Sequence, residues 1–177
     1  MARVSAAHIP TIDTERLRLR GHTPGDFEPF AAMWAEADVV RFISGKPSTR
    51  EESWARLLRY VGHWALLGYG YWLIEERGTG RLVGETGFAD MKRDVEPSLA
   101  GMPEIGWALA PWAQGKGFAS EAVAAAVKWG DGFFGARATA CMIDPRNAAS
   151  LRVAAKCGYE EFARTTYKGA STILFKR

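Results

Sequence analysis

The chain predicts a mixed α/β domain built on one sheet with antiparallel and parallel parts. Apolar spacing switches repeatedly between a period of two and a period of 3.6. A run of strand patterns in the middle has no helix between its members, which excludes a pure doubly wound fold. The length, 177 residues with 47% apolar and 24% charged side chains, suits one full core rather than two ordinary domains.

Residues 1–13 carry no periodic pattern and are expected to be a flexible segment, with a single domain over 14–177. Arg16-Leu17-Arg18-Leu19-Arg20 alternates charged and apolar side chains, as a half-buried strand does. Thr23-Pro24-Gly25-Asp26 supplies an N-cap, a proline at N1 and an acid in the first turn. Phe27, Phe30, Ala31 and Trp34 follow at helical spacing. Ser48-Thr49-Arg50-Glu51 predicts a second capping box, opening a helix with Trp54, Leu57, Leu58, Val61 and Ala65 on one face. Gly68 is its expected stop. Tyr69 to Glu75 and Leu82 to Phe88, joined across Arg77-Gly78-Thr79-Gly80, predict a hairpin. Residues 90–103 are polar, contain two prolines and form a loop long enough to suggest function.

Glu104 to Ala110 is the next expected strand. Ser120 to Phe134 is a helix with Ala122, Val123, Ala126, Val127 and Gly130 on one stripe. Ala138 to Ile143 is a strand, Asp144-Pro145-Arg146-Asn147 a turn, and Ala148 to Lys156 a short helix stopped by Gly158. Tyr159 to Thr165 and Thr172 to Lys176 form a last hairpin around Lys168-Gly169. The sum is about seven strands and four helices, ordered strand, two helices, three strands, helix, strand, helix, two strands.

Composition removes several function classes. Lys and Arg number 23 against 20 Asp and Glu, a formal +3 with both signs interspersed, so no nucleic-acid platform is expected. No run of about 18 apolar residues could cross a membrane. No apolar core of a signal peptide follows Met1, which points to the cytoplasm. Cys141 and Cys157 are expected to be buried, reduced thiols. His8, His22 and His63 show no ligand spacing, so no metal is expected. Most of the seven tryptophans should pack the core, with Trp72 and Trp107 as pocket liners.

Gln114-Gly115-Lys116-Gly117-Phe118-Ala119 carries the chemistry. It follows a strand and opens an alanine-rich helix. Two glycines leave its N–H groups free to turn toward one anion, and the helix N-terminus adds partial positive charge there. A plain glycine turn is the other reading, because Gly-x-Gly alone is weak. A dinucleotide site would want a third glycine where Ser120 stands, and would open the chain rather than lie deep within it.

Gln114, Gly117 and Ala119 fit the Q/R-x-x-G-x-G/A signature, and Asn147, Lys156, Gly158 and Tyr159 fit a second segment of the same family. On these residues the chain resembles the GCN5-related N-acetyltransferases. Thr14-Glu15-Arg16-Leu17-Arg18-Leu19-Arg20, Arg50-Glu51-Glu52 and Glu104-Ile105-Gly106-Trp107 resemble its RimJ/RimL branch. The resemblance covers about residues 14 to 176.

It implies the family's mostly antiparallel sheet, with acetyl-CoA as co-substrate and an amine as acceptor. With the composition, this leaves an enzyme expected to work without metal, nucleic acid or membrane, as a monomer or a homodimer. The pantetheine arm would lie along Trp107, Ala108, Leu109 and Ala110, with the Leu109 N–H polarising the thioester carbonyl. Amides of Gln114, Gly115, Lys116, Gly117, Phe118 and Ala119 would hold the diphosphate. Asn147 would bond the pantetheine arm, and Arg152 and Lys156 could reach phosphates. A solvated helix end is the other role for Lys156. Glu104 is the first candidate base and Glu85 the second. The family's usual tyrosine acid is replaced by Ala154, whereas Ser150 matches the branch's serine and could bond the sulfur. Phe42, Ser44, Lys46 and Pro47 resemble the acceptor-facing loop. A non-catalytic acyl-CoA sensor on the same fold, and less so a dinucleotide-dependent oxidoreductase, are the alternatives.

Overall fold

The structure, a computed structural model, describes residues 9–177. Its elements are β1 (Ile12–Asp13), β2 (Leu17–Arg20), α1 (Phe27–Trp34), α2 (Ala37–Val40), α3 (Arg50–Leu67), β3 (Tyr71–Glu76) and β4 (Leu82–Ala89). There follow β5 (Glu104–Leu109), α4 (Phe118–Phe134), β6 (Ala140–Ile143), α5 (Ala148–Lys156), β7 (Glu160–Tyr167) and β8 (Ala170–Lys176). One sheet takes all eight strands in the order β1-β2-β3-β4-β5-β6-β8-β7. Every pairing is antiparallel except β5 with β6.

The class is the expected one, with one strand and one helix more. Ile12 and Asp13 pair with Leu19 and Arg18, so the expected flexible segment is ordered from residue 9 to 13. The reason lies in tertiary bonds. Arg18 forks onto Asp13 at 2.7 and 3.0 Å, and the Trp72 indole N–H donates to the Pro10 carbonyl at 2.8 Å. Residues 1–8 of that segment, His8 included, lie outside the described residues. The extra helix, α2, spans only four residues with Val39 and Val40 buried, too short for its period to register in sequence.

Helix α3 starts one residue later than its expected box. Thr49 accepts from the Glu52 amide at 3.1 Å while Glu52 accepts from the Thr49 amide at 2.8 Å. The Ser48 amide instead donates to the Trp34 carbonyl at 2.9 Å, which ties the α2–α3 loop to the end of α1. Gly68, at φ +74°, ends α3 in the left-handed conformation that glycine tolerates without a Cβ clash.

Side-chain alternation along the strands sorts the core into two layers. From β5, Ile105 and Leu109 join α4 residues Ala122, Val123, Ala126 and Val127. Ala108 and Ala110 join Phe30, Trp34, Leu57, Tyr60 and Tyr71 beneath α1–α3. Trp72 is fully buried among Trp64 and Trp129, so it packs the core and lines no pocket, contrary to expectation. Both cysteines are buried and unpaired, and burial pushes each thiol above its ordinary range. No helix among the described residues is long and apolar enough to cross a membrane.

Candidate active site

Strands β5 and β6 pair in parallel only at Glu104 and Ala140, and then diverge. The Ala110 amide donates to the Val83 carbonyl in β4 at 2.9 Å. Because backbone groups alternate along a strand, the amides of Ala108 and Gly106 also face β4, while those of Trp107 and Leu109, beyond the pairing of Glu104 with Ala140, face the opening. The Leu109 carbonyl points the same way and accepts from Gln114 Nε2 at 3.1 Å. The result is an unsatisfied strand edge lining a V-shaped gap.

The glycine-rich loop closes one end of that gap. Gly117, at φ +81°, is the N-cap of α4 and turns the chain so that successive amides point outward. The Glu121 amide bonds to the Gly117 carbonyl, whereas the amides of residues 115–120 have no partner among the described residues. A helix N-terminus with a run of free amides suits a diphosphate. Glu121, in the first turn, would repel such an anion, but its oxygens are occupied. They accept from Thr14 Oγ1 at 2.6 Å, the Arg16 amide at 2.9 Å and Arg16 Nε at 2.7 Å. Arg16 also donates to the Lys116 carbonyl at 3.0 Å and lies over the Phe118 ring, bracing the loop from behind.

The far side of the gap is the start of α5. Asn147 Oδ1 caps this helix by accepting from the Ser150 amide at 3.1 Å. The Trp107 indole N–H crosses the gap and donates to Ser150 Oγ at 3.2 Å. An indole can only donate, so the serine oxygen accepts and its own hydrogen stays free for another acceptor.

The opposite face of the sheet holds a second constellation. Glu85 of β4 pairs with Ala108 of β5 and is 1% exposed. Tyr60 donates its hydroxyl to Glu85 at 2.5 Å and the Trp34 indole N–H donates at 3.3 Å. Burial pushes the Glu85 carboxyl up to about 7, against the opposing pull of the Tyr60 bond and of Arg56. Tyr60 stacks on Tyr71 at 4.4 Å, and the Tyr71 hydroxyl lies 2.1 Å from where a Gly106 Cβ would stand. Only glycine at 106 lets that hydroxyl reach across β5. Glu104 is differently employed: Arg93, from the 90–103 loop, forks onto both its oxygens at 2.6 and 2.7 Å.

Residues 16–160 match the family described as the acetyltransferase (GNAT) domain. The chain belongs to the GNAT acetyltransferases. It is 32% identical to the uncharacterized protein YkkB of Bacillus subtilis over 149 residues, 82% of each chain. It is 26% identical to the uncharacterized N-acetyltransferase YoaA of the same organism over 154 residues, 86% of this chain and 84% of that one. A solved structure assigned to the GnaT-family acetyltransferases of Bordetella pertussis superposes with a TM-score of 0.85 at 28% identity, covering 95% and 99% of the two chains. The fold also matches RimL, a ribosomal L7/L12 alpha-N-protein acetyltransferase solved with coenzyme A, at a TM-score of 0.77 and 17% identity over 95% and 97% of the chains.

Within this GNAT domain, Trp107 to Ala110, the loop 114–119, Asn147 and Ser150 converge around the gap. Arg152 and Lys156 stand exposed on α5 with no bond to the loop among the described residues. Tyr60, Trp34, Tyr71 and Arg16 were missed as site residues. Trp34 has the spacing expected of a buried α1 residue and Tyr71 lies in an expected strand, whereas Tyr60 lies off the expected α3 face: α3 buries Ser53, Leu57, Tyr60 and Trp64 and leaves Trp54, Leu58 and Val61 exposed. Arg16 sits on what reads as a solvated strand face. No group of three or more His, Cys, Asp or Glu able to hold a metal ion occurs among the described residues.

Proposed function

We propose that this GNAT protein is an acetyl-CoA-dependent N-acetyltransferase that delivers an acetyl group to a primary amine by direct transfer, with both substrates bound together. The observation that carries the reading is the unpaired edge of β5 running into a nest of free amides. An extended chain bearing amides and a diphosphate fits both at once. Acetyl-CoA would supply an activated acyl group and a thiol that leaves readily near neutral pH.

The chain's own residues divide the remaining work. Amides of the 114–119 loop bind the diphosphate, with Lys116 in the loop and Arg152 and Lys156 exposed on α5 as candidate cations for the phosphates. The Leu109 N–H is a fixed donor for an oxygen gaining negative charge. Ser150, oriented by Trp107, offers its hydrogen to a sulfur. A protonated amine has no lone pair, so a proton must leave it. Glu85, near 7, is matched to that task, through Tyr71 or a water where direct contact is lacking. Glu104 has both oxygens in the Arg93 fork, which favours a structural role and moves Glu85 ahead of it as base.

A thiol-release assay with acetyl-CoA and a panel of primary amines tests the proposal. Amine-dependent release of CoA supports it. Tight CoA binding with no turnover on any amine would instead make the domain an acyl-CoA sensor.

A further inference from the structure

A cleft of about 440 Å³ opens between the α2–α3 loop and α3, on the same face as Glu85. Its charged lining is Lys46, Glu52, Arg56 and Arg59. Glu52 is engaged by the Thr49 amide at 2.8 Å and by Lys46 at 3.5 Å. Arg56 and Arg59, one helical turn apart, have no carboxylate partner among the described residues. Arg56 lies on the Trp34 ring at 3.6 Å, and Arg59 faces the Tyr60 ring at 5.6 Å. The Arg56 Nε–H is buried without a hydrogen-bond partner, so stacking alone holds the guanidinium in this pose.

Trp34 and Tyr60 are also the two residues that hold Glu85. One pair of rings therefore supports two cations on the cleft side and presents its N–H and O–H to a carboxylate on the other. Guanidinium groups stacked on aromatic rings are pre-oriented, and their fork matches the oxygens of a carboxylate or phosphate. We propose that Arg56 and Arg59 bind an anionic group, a carboxylate or a phosphate, and that the acceptor amine is what carries it. This inference rests on the N-acetyltransferase reading for its second half only; the anion site stands on the cleft itself.

Calorimetry on the CoA-loaded protein tests the site with β-alanine, O-phosphoethanolamine and the neutral β-alaninamide. A charged hydrogen-bonded pair should make one or both anionic amines bind about ten- to a hundredfold more tightly than the amide. The stronger of the two identifies the oxyanion. Arg56→Gln/Arg59→Gln should bring the preference to within about threefold. Should that protein not fold, Arg56→Lys and Arg59→Lys, which keep charge but lose the fork, should each lower it in part. Equal binding of all three amines, or a preference that survives these substitutions, overturns the proposal. Thiol release on the same amines separates the two readings. Selective binding with no release on any amine sinks the transferase reading and leaves the anion site standing. Equal release on β-alaninamide and the anionic amines sinks the anion site and leaves the transferase standing.

Discussion

The two walls of this site are made in opposite ways. On the α4–α5 side the working groups are backbone amides: the free edge of β5 and the loop before α4, much of it in contact with solvent. On the α1–α3 side they are side chains, and Glu85, Tyr60 and Trp34 are at most 2% exposed. A backbone site needs a turn and a missing Cβ, which neighbouring residues can specify. A side-chain site needs distant positions to converge, here 34, 60, 71 and 85. The first kind recognises what every acyl-CoA shares, and the second is where one acceptor can be told from another.

That division can be broken by substitution on either wall. Glu85→Gln should lower kcat/KM about 10²- to 10⁴-fold, the range of a lost general base, while CoA affinity measured by calorimetry stays unchanged. The same substitution should stabilise the fold at alkaline pH. Burial raises the folded carboxyl from 4.5 to about 7, so the folded protein keeps a proton that the unfolded chain releases in between. Stability from this group is full below 4.5 and is lost as pH climbs through about 7, in all about 3 kcal/mol. Thermal unfolding of both proteins at pH 5 and pH 8 reads this: the glutamine variant should gain only at the higher pH. Loss of CoA binding in Glu85→Gln would mean that the two walls are not independent.

On the opposite wall, Gly117→Val should weaken CoA on the order of tenfold, through left-handed strain and a side chain that crowds Arg16 where it braces the loop. Unchanged affinity in a titration would remove the loop from the binding site. Glu104→Gln should reverse the pattern seen at Glu85. It should cost about 2 kcal/mol in thermal or urea unfolding by leaving Arg93 half-paired, with a smaller loss of kcat than Glu85→Gln gives. The acid limb of kcat/KM should fall near pH 7 and move upward in Arg56→Gln, because that cation pulls the Glu85 carboxyl down. Trp107→Phe should have the smallest effect, about two- to tenfold in kcat, as befits one neutral hydrogen bond. Combining it with Ser150→Ala should add little, since both delete the same contact.

The contrast also explains what could be read from the chain alone. The loop 114–119, the capping of α5 by Asn147 and the position of Leu109 are local, and their spacing carries the pattern. So is most of the secondary structure, where caps and apolar periods agree. Glu85 was visible as the second candidate base, a polar residue in the neighbouring strand, and Glu104 looked the better one because it begins the strand lining the gap. Nothing near Glu104 in sequence announces Arg93, which reaches it from a loop eleven residues earlier. Likewise Trp34 has the spacing of a core residue and Tyr60 lies off the face read for α3, and both are core residues whose polar atoms end on a carboxylate. Order in residues 9–13 was missed for the same reason, since an indole at Trp72 holds it.

The lone pairing of Glu104 with Ala140 has a mechanical meaning. The sheet is two ribbons, β1–β5 and β6–β8, stitched at one point and otherwise joined through the helices packed on them. A bound extended ligand would be the missing strand between them and would bridge the seam along its length. Hydrogen exchange in the free protein should therefore be fastest along that edge of β5. CoA should slow it there, and raise the melting temperature in proportion to the logarithm of its concentration above Kd. The same opening is an unpaired strand edge at the centre of the fold rather than its rim, shielded from other chains by the ribbons on either side.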